Sequence, residues 1–170
     1  SLSLHAGAAV KEIARAARDP ERLLVVETNP QLPRTLGLGK EQRHAIHVDD
    51  ADVIIAAYGF NESFAGAAGL PKFRTKLAEF LASLQSKSFN GSSAPRIILV
   101  SPIANENLPG VAAADRNNAT IHMYAEAMRE VAQAQGVGFV DLFEPTLAPL
   151  ADPTTTLTIN GCHLTRSGYD

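Results

Sequence analysis

The sequence predicts an α/β fold: a three-layer α/β/α sandwich built on a parallel sheet. Two observations carry this prediction. Short β-branched runs alternate with longer stretches of helical periodicity, and the clearest strand-like runs are apolar on both faces. Alternating strands and helices are typical of βαβ units with right-handed crossovers. Strands that are apolar on both faces are typical of a parallel sheet covered on both sides.

The first third of the chain predicts two helices on either side of one strand. An alanine-rich helix over 6–17 stops at Asp19-Pro20, because the residue before a proline disfavours helix. A strand over 23–26 follows. Prolines and glycines between positions 30 and 39 indicate a loop, and positions 40–47 are consistent with a short helix.

The remainder of the chain continues the alternation. Its predicted elements are a strand over 52–58, a helix over 71–86, a strand over 96–100, a helix over 115–135 and a strand over 138–142. The run DVIIAAY at 52–58 is the best strand of the sequence. Gly136 is expected to end the long helix, because glycine readily adopts the left-handed conformation found there.

Composition excludes several classes of protein. The 170 residues carry 15 Lys and Arg against 18 Asp and Glu, a formal charge of −3, which argues against binding nucleic acid by phosphate neutralisation. Cys162 is the only cysteine, so neither an internal disulfide nor a zinc site of several cysteines can form. No apolar run approaches the ~20 residues that span a bilayer, so a soluble chain is expected.

Polar residues follow four predicted strands, where ligands bind in open α/β sheets. These segments are Thr28-Asn29, Gly59-Phe60-Asn61-Glu62-Ser63, Ser101-Pro102 with Asn105-Glu106-Asn107, and Asn160-Gly161-Cys162-His163-Leu164-Thr165. Because the carboxyl ends of parallel strands meet at one edge of a sheet, these loops are the first candidates for a functional site.

Two of these segments resemble sequence blocks of a known family. GFNE after a buried strand, and NGCHL before a helix start, resemble the third and fifth blocks of the SGNH (GDSL-type) hydrolases. The chain is most similar to the SGNH-like domains of large multidomain bacterial proteins that also carry sugar-dehydrogenase-like and c-type haem modules. The segments GFNESFAG, GLPKF, SPIANENLP, VDLFEPT and TINGCHLT carry the resemblance across 52–169.

The resemblance implies acyl transfer from an ester. In that chemistry a serine hydroxyl attacks the carbonyl, a histidine takes its proton, and preorganised donors hold the oxyanion. By correspondence of blocks, His163 is the general base, while Asn61 and Gly59 lie at the oxyanion site. Ser1 is the candidate nucleophile, with Ser3 as its competitor. No metal or cofactor is expected, because attack by serine needs none.

The chain departs from the family pattern at two places that bear on activity. Asn160 stands where the family has an acid three residues before the histidine; an amide can orient the imidazole but cannot stabilise its charged form. The Gly-Asp-Ser of block one is absent. The resemblance therefore implies a single domain over 1–170, expected to be a fragment without the block-one strand and the closing helix.

Two function hypotheses follow. The first is a serine esterase or acylhydrolase, with acetylated carbohydrate as the substrate class by family analogy. The alternative is a catalytically weakened domain that binds a glycan or acyl group, or serves as a structural module. Expected partners are a small-molecule or glycan ester and other domains of a longer chain, with no nucleic acid and no membrane span. The compartment stays open, with an extracytoplasmic location as the family analogy.

Other polar residues have two interpretations each. Glu62 and Glu106 either line the pocket or, as is commoner, are exposed loop carboxylates. Asp141 either orients a histidine or caps the following turn. His44 and His47 are three positions apart, but solvent-facing helix positions explain them better than a metal pair. Gly37 and Gly39 are candidates for the block-two glycine, and a role as turn-forming residues of a loop explains them equally well.

Overall fold

The computed structural model describes residues 23–27, 51–110 and 112–169. Residues 23–27 are described as a strand only. The expected helices over 6–17 and 40–47, the loop over 30–39 and the polar pair Thr28-Asn29 lie outside this part of the chain.

A parallel sheet forms the centre of the described structure. Its strands are β1 (Leu23–Glu27), β2 (Val53–Ala57), β3 (Arg96–Val100) and β4 (Gly138–Val140), and they lie side by side in that order. Ile54 of β2 pairs with Leu24 of β1 and with Ile97 of β3. The predicted strands are confirmed, with β3 at its predicted bounds. β4 is shorter than the predicted 138–142.

Helices follow the strands as the sequence predicts, with additions. Within the described residues they are α1 (Phe60–Ser63), α2 (Gly66–Gln85), α3 (Ala114–Gln135), α4 (Phe143–Leu150) and α5 (Arg166–Tyr169). Gly136 ends α3 at φ 67°, the left-handed conformation expected of it. None of these helices is both long and apolar enough to cross a membrane.

Two helix boundaries differ from the sequence prediction. α2 begins at Gly66, five residues before the predicted start, so that Pro71 lies inside it. Pro71 is the sixth residue of α2, so its ring removes one backbone hydrogen bond of the second turn, and the helix continues because its buried face packs against the core. The predicted last strand ends at Val140, because the Asp141 carboxylate accepts the N–H of Phe143 at 2.9 Å and starts α4.

The main core lies between one face of the sheet and the two long helices. Its strand residues are Ile54, Ala56, Ile97 and Leu99. The apolar residues predicted for one face of α2 are buried there, namely Phe73, Leu77, Leu81 and Leu84. Alternate strand residues Val53, Ile98 and Val140 form a separate buried cluster, as expected for strands that are apolar on both faces.

Tyr124 joins the beginning of α2 to the middle of α3. Its side chain is fully buried in the core, and its hydroxyl donates to the carbonyl oxygen of Gly66 at 3.0 Å. Gly69 lies against the same hydroxyl: a Cβ at that position would be 2.4 Å from the Tyr124 oxygen. The two helices therefore approach closely at the end of the sheet where the polar loops lie.

We expect Tyr124→Phe to lower the free energy of unfolding by about 1–2 kcal/mol, because the Gly66 carbonyl loses a buried donor. Thermal or urea unfolding measures the change. Tyr169→Phe is the matched control, since Tyr169 is 78% exposed, and it should leave stability unchanged within about 0.5 kcal/mol. Equal effects of the two substitutions would contradict this account of Tyr124.

Candidate functional site

An open cleft of about 240 Å³ lies beyond the carboxyl ends of β2 and β3. The residues that line it are Ala57, Tyr58, Gly59, Phe60, Asn61, Glu62, Pro102, Ile103, Cys162 and His163. The structure therefore brings Asn61 and His163 to one cavity, although they lie on distant loops of the sequence. This is the edge of the sheet where the sequence predicts a site.

Gly59 makes the turn that presents Asn61. Its φ is 101°, a conformation that other residues rarely adopt, and a Cβ there would lie 3.0 Å from the sulfur of Met128 and 3.3 Å from Pro102. Asn61 follows in α1 with an exposed side chain that forms no hydrogen bond with any described residue. Its amide N–H is thus free to donate to a ligand in the cleft.

The backbone N–H of Gly59 already has an acceptor. It donates to the carboxylate of Glu62 at 2.9 Å, as in a capping box at the start of a short helix. In this arrangement Gly59 contributes the turn beside Asn61, while its own N–H points to Glu62. The oxyanion role expected of Gly59 would require that bond to open.

Glu62 lies in the cleft and is partly buried, so its interpretation as an exposed loop carboxylate is wrong. Burial raises the pKa of its carboxyl group, and hydrogen bonds from the N–H groups of Glu62 and Gly59 oppose that rise. Burial also raises the pKa of Tyr124, with a further contribution from the charge of Glu62. Glu62 therefore keeps its proton to higher pH than an ordinary glutamate.

His163 lies in a tight antiparallel turn. Thr158 bridges to Leu164, and the N–H of Ile159 donates to the carbonyl oxygen of His163 at 2.8 Å. The N–H of Thr165 donates to the carbonyl oxygen of Leu157, also at 2.8 Å. We call residues 157–165 the histidine turn.

Asn160 holds the ring of His163. Its side-chain oxygen lies 2.9 Å from Nδ1 of His163 and accepts the backbone N–H of His163 at 3.1 Å. An amide oxygen can only accept, so Nδ1 carries the hydrogen and Nε2 keeps its lone pair. No described residue bonds to Nε2, which therefore remains available as a proton acceptor.

Cys162 lies beside the same ring. Its sulfur is 3.3 Å from Nδ1 of His163, and burial raises the pKa of the thiol. The raised pKa keeps the group protonated at neutral pH, where a thiol is a poor nucleophile.

Glu106 is neither exposed nor part of the cleft lining, so both interpretations of it are wrong. It is 4% exposed, and its carboxylate accepts the N–H groups of Leu157 at 2.8 Å and Thr158 at 2.7 Å, together with the hydroxyl of Thr158. Sequence reasoning missed this contact, because the partners lie about fifty residues further along the chain. The only local signal was a carboxylate in an Asn-rich loop after a strand.

Asp141 caps α4 and does not orient the histidine. Besides the N–H of Phe143 it accepts the hydroxyl of Ser101 at 3.2 Å and pairs with Arg129. The capping interpretation is confirmed, and within the described residues no hydrogen bond joins Asp141 to His163. Ser1, Ser3, Gly37, Gly39, His44 and His47 lie outside the described residues. Among the residues that the structure describes, no group of three potential metal ligands occurs.

Comparison with known proteins decides the family. A model of the GDSL-like lipase/acylhydrolase family matches residues 8–170. The chain belongs to this family. Asn61 and His163, the residues expected from the third and fifth blocks, both line the cleft. No curated protein matches the chain.

Solved structures of similar fold confirm the α/β/α class. Axe2, an acetylxylan esterase from Geobacillus stearothermophilus, is 16% identical with a TM-score of 0.55, and the match covers 80% of this chain and 61% of that one. The acetyl xylan esterase AlAXEase is 20% identical with a TM-score of 0.54, covering 75% and 66%. A lipase/acylhydrolase from Enterococcus faecalis is 17% identical with a TM-score of 0.51, covering 76% and 61%. The chain thus spans less than two thirds of the length of each.

The raised pKa of Glu62 predicts a pH-dependent stability. Below the ordinary value of 4.5 the carboxyl is neutral in both folded and unfolded chains. Above it the unfolded chain loses the proton first, so the folded state binds more protons and the free energy of unfolding falls as pH rises. Glu62→Gln removes this dependence and keeps an oxygen acceptor for the Gly59 N–H.

We therefore compare the difference in melting temperature between Glu62→Gln and the parent at two pH values. We expect this difference to favour the variant more at about pH 7 than at about pH 4. Differential scanning calorimetry at both pH values measures it. Glu79→Gln, at an exposed position, controls for the loss of a charge. A difference between Glu62→Gln and the parent that does not change with pH would refute the assignment.

Proposed function

We propose that this chain is an ester hydrolase of the serine type that removes small acyl groups, with acetylated carbohydrate as its substrate class. The observation that carries the proposal is that Asn61 and His163, the residues expected from two separate family blocks, line the same open cleft. Family membership supports acyl transfer, and the arrangement of each side chain supports one step of it.

His163 acts as the general base through Nε2. The side-chain oxygen of Asn160 lies 2.9 Å from Nδ1 of His163 and accepts its hydrogen. Nε2 therefore presents its lone pair to a serine hydroxyl. The serine oxygen then attacks the ester carbonyl, and the histidine later returns the proton to the departing alcohol. Water repeats the sequence on the acyl-enzyme, which releases the acid and restores the serine.

Asn61 supplies a donor for the oxyanion. Its free amide lies in the first turn of α1, and the carbonyl oxygen of the bound ester gains negative charge as the tetrahedral intermediate forms. A preorganised donor stabilises this charge more than that of the ground state, which is the condition for a rate effect.

Ser1 is the proposed nucleophile and Ser3 its competitor, and both lie outside the described residues. Parallel Ser1→Ala and Ser3→Ala variants separate them, since only loss of the nucleophile abolishes formation of an acyl-enzyme. The wider context of a multidomain protein, and the reading of 1–170 as one domain of it, stay predictions.

We propose that the acyl group is small. The support comes from the similar structures. Two of the similar structures are described as acetyl xylan esterases. We therefore expect faster hydrolysis of p-nitrophenyl acetate than of the octanoate, and release of acetate from acetylated xylan.

His163→Ala should lower kcat for p-nitrophenyl acetate by at least about 10²-fold, and Asn61→Ala by about 10²–10³-fold, because each removes a group that acts in the transition state. His122→Ala is the matched control. His122 lies on α3 against Phe143 and outside the cleft, so its loss should leave kcat unchanged. Activity that survives His163→Ala would exclude this mechanism.

Asn160→Asp should raise kcat. An aspartate keeps the oxygen that holds Nδ1 and adds the negative charge that stabilises the imidazolium. The reverse change, from aspartate to asparagine in a serine triad, lowers kcat by about 10⁴-fold. We expect the gain in kcat on Asn160→Asp to be no larger than this. Steady-state kinetics of the two proteins measures it. An unchanged kcat, together with glycan binding by an inactive parent, would support the alternative of a weakened binding domain.

A further inference from the structure

Glu106 is a buried carboxylate that the proposed reaction does not use. It is 4% exposed, yet it lies outside the cleft lining and cannot contact a substrate there. Burial of a charged group is unfavourable unless the group is fully paired by hydrogen bonds. The partners of Glu106 therefore indicate what it does.

Among the described residues, the partners of the Glu106 carboxylate all belong to the histidine turn. One carboxylate oxygen accepts the N–H of Leu157 at 2.8 Å, and the other accepts the N–H of Thr158 at 2.7 Å and the Thr158 hydroxyl. The Thr158 hydroxyl oxygen in turn accepts the N–H of Gly161 at 2.9 Å. Hydrogen bonds to a charged acceptor are short and strong, so the carboxylate fixes the start of the histidine turn directly and Gly161 through the Thr158 hydroxyl.

The loop that carries Glu106 is itself anchored to the long helix α3. The N–H of Glu106 and the side-chain amide of Asn105 both donate to the carbonyl oxygen of Gly161, each at 2.9 Å. Asn117 at the start of α3 donates to the Asn105 oxygen at 2.5 Å. A Cβ on Gly161 would lie 2.5 Å from the Asn105 nitrogen, so the two loops are in direct contact.

His163 depends on this anchorage, because little else in the described part of the chain holds it. Its side chain is exposed there, and its strong hydrogen-bond partner Asn160 belongs to the same turn. The turn therefore sets the position of the ring as a unit. A misplacement of about 1 Å at a catalytic group can cost about 10²-fold in rate.

We propose that Glu106 is a positioning residue of this hydrolase. Its buried carboxylate clamps the histidine turn to the loop after β3 and so fixes the position of the His163 base relative to Asn61 across the cleft. This inference rests on the proposed function, in which His163 is the base. Glu106 acts through Thr158 and Gly161 and contacts neither substrate nor the reacting atoms.

The test compares Glu106→Gln and Glu106→Ala with Asp141→Asn in the full 170-residue chain. Glutamine keeps the shape of glutamate but places an NH₂ against one of the two backbone N–H donors, so it retains only one of those bonds. Asp141 is the matched control. Like Glu106, it accepts backbone N–H groups with its carboxylate, but it is only partly buried and it holds α4. Two readouts are taken: kcat and KM for p-nitrophenyl acetate, and the imidazole nitrogen signals of His163 in ¹H–¹⁵N NMR spectra.

We expect Glu106→Gln to lower kcat by about 10–100-fold with KM changed less than about twofold, and Glu106→Ala to lower it further. We also expect the ring nitrogen signals of His163 to shift or broaden in these variants, because the turn that carries both His163 and Asn160 loses its fixed position beside the cleft. Asp141→Asn should change neither readout. A merely structural role would lower the melting temperature while leaving kcat and the His163 signals as in the parent, and that result would overturn the proposal.

Two further outcomes remain, an inactive parent and an unfolded Glu106→Ala variant. If the parent does not hydrolyse the ester, the proposed function fails, but the His163 signals still test the clamp. If Glu106→Ala does not fold, Glu106→Gln is compared with the parent by amide hydrogen exchange at Leu157 and Thr158. Faster exchange at the one amide that loses its acceptor, compared with amides of α4 in the same variant, supports the clamp, and exchange equal to the parent at both amides overturns it.

Discussion

The parallel pairing of β2 with β3 is the constraint on which the site depends. Ala57 at the end of β2 lies opposite Val100 at the end of β3, so the chain leaves both strands at the same level. Gly59 and Pro102 then meet directly, which a side chain at position 59 would prevent. The cleft is the space beyond this contact, and burial of Ile54 and Leu99 on the helix-covered face holds the register that creates it.

Two carboxylates near the cleft have opposite environments. Glu106 is buried with three donors around its oxygens, all from one short segment, which makes it a structural anchor. Glu62 is partly buried with fewer donors, and its pKa is raised. Glu62 is the one carboxylate among the cleft-lining residues of the described chain. The same residue type thus anchors a turn in one position and lines the cleft in the other.

Asn160 shows how geometry and electrostatics separate within one contact. The amide oxygen accepts from both the backbone and the ring of His163. In the proposed mechanism Asn160 therefore orients the base as an acid would, but it brings no charge and gives the imidazolium no more stabilisation than a dipole can.

The sequence by itself determined the alternation of strands and helices, the apolar face of α2, the end of α3 at Gly136, and the two segments that resemble family blocks. These features depend on local periodicity or on short motifs, which are readable without neighbours in space. It misplaced the start of α2 and missed α4, because the prolines at 71 and 149 lie inside helices that tertiary packing stabilises. Only the tertiary structure decided that Asn61 and His163 share a cleft and that Glu106 is buried against Leu157 and Thr158. Each of these contacts joins positions whose proximity or burial is set by the packing of separate elements, and no local pattern in a single sequence encodes that.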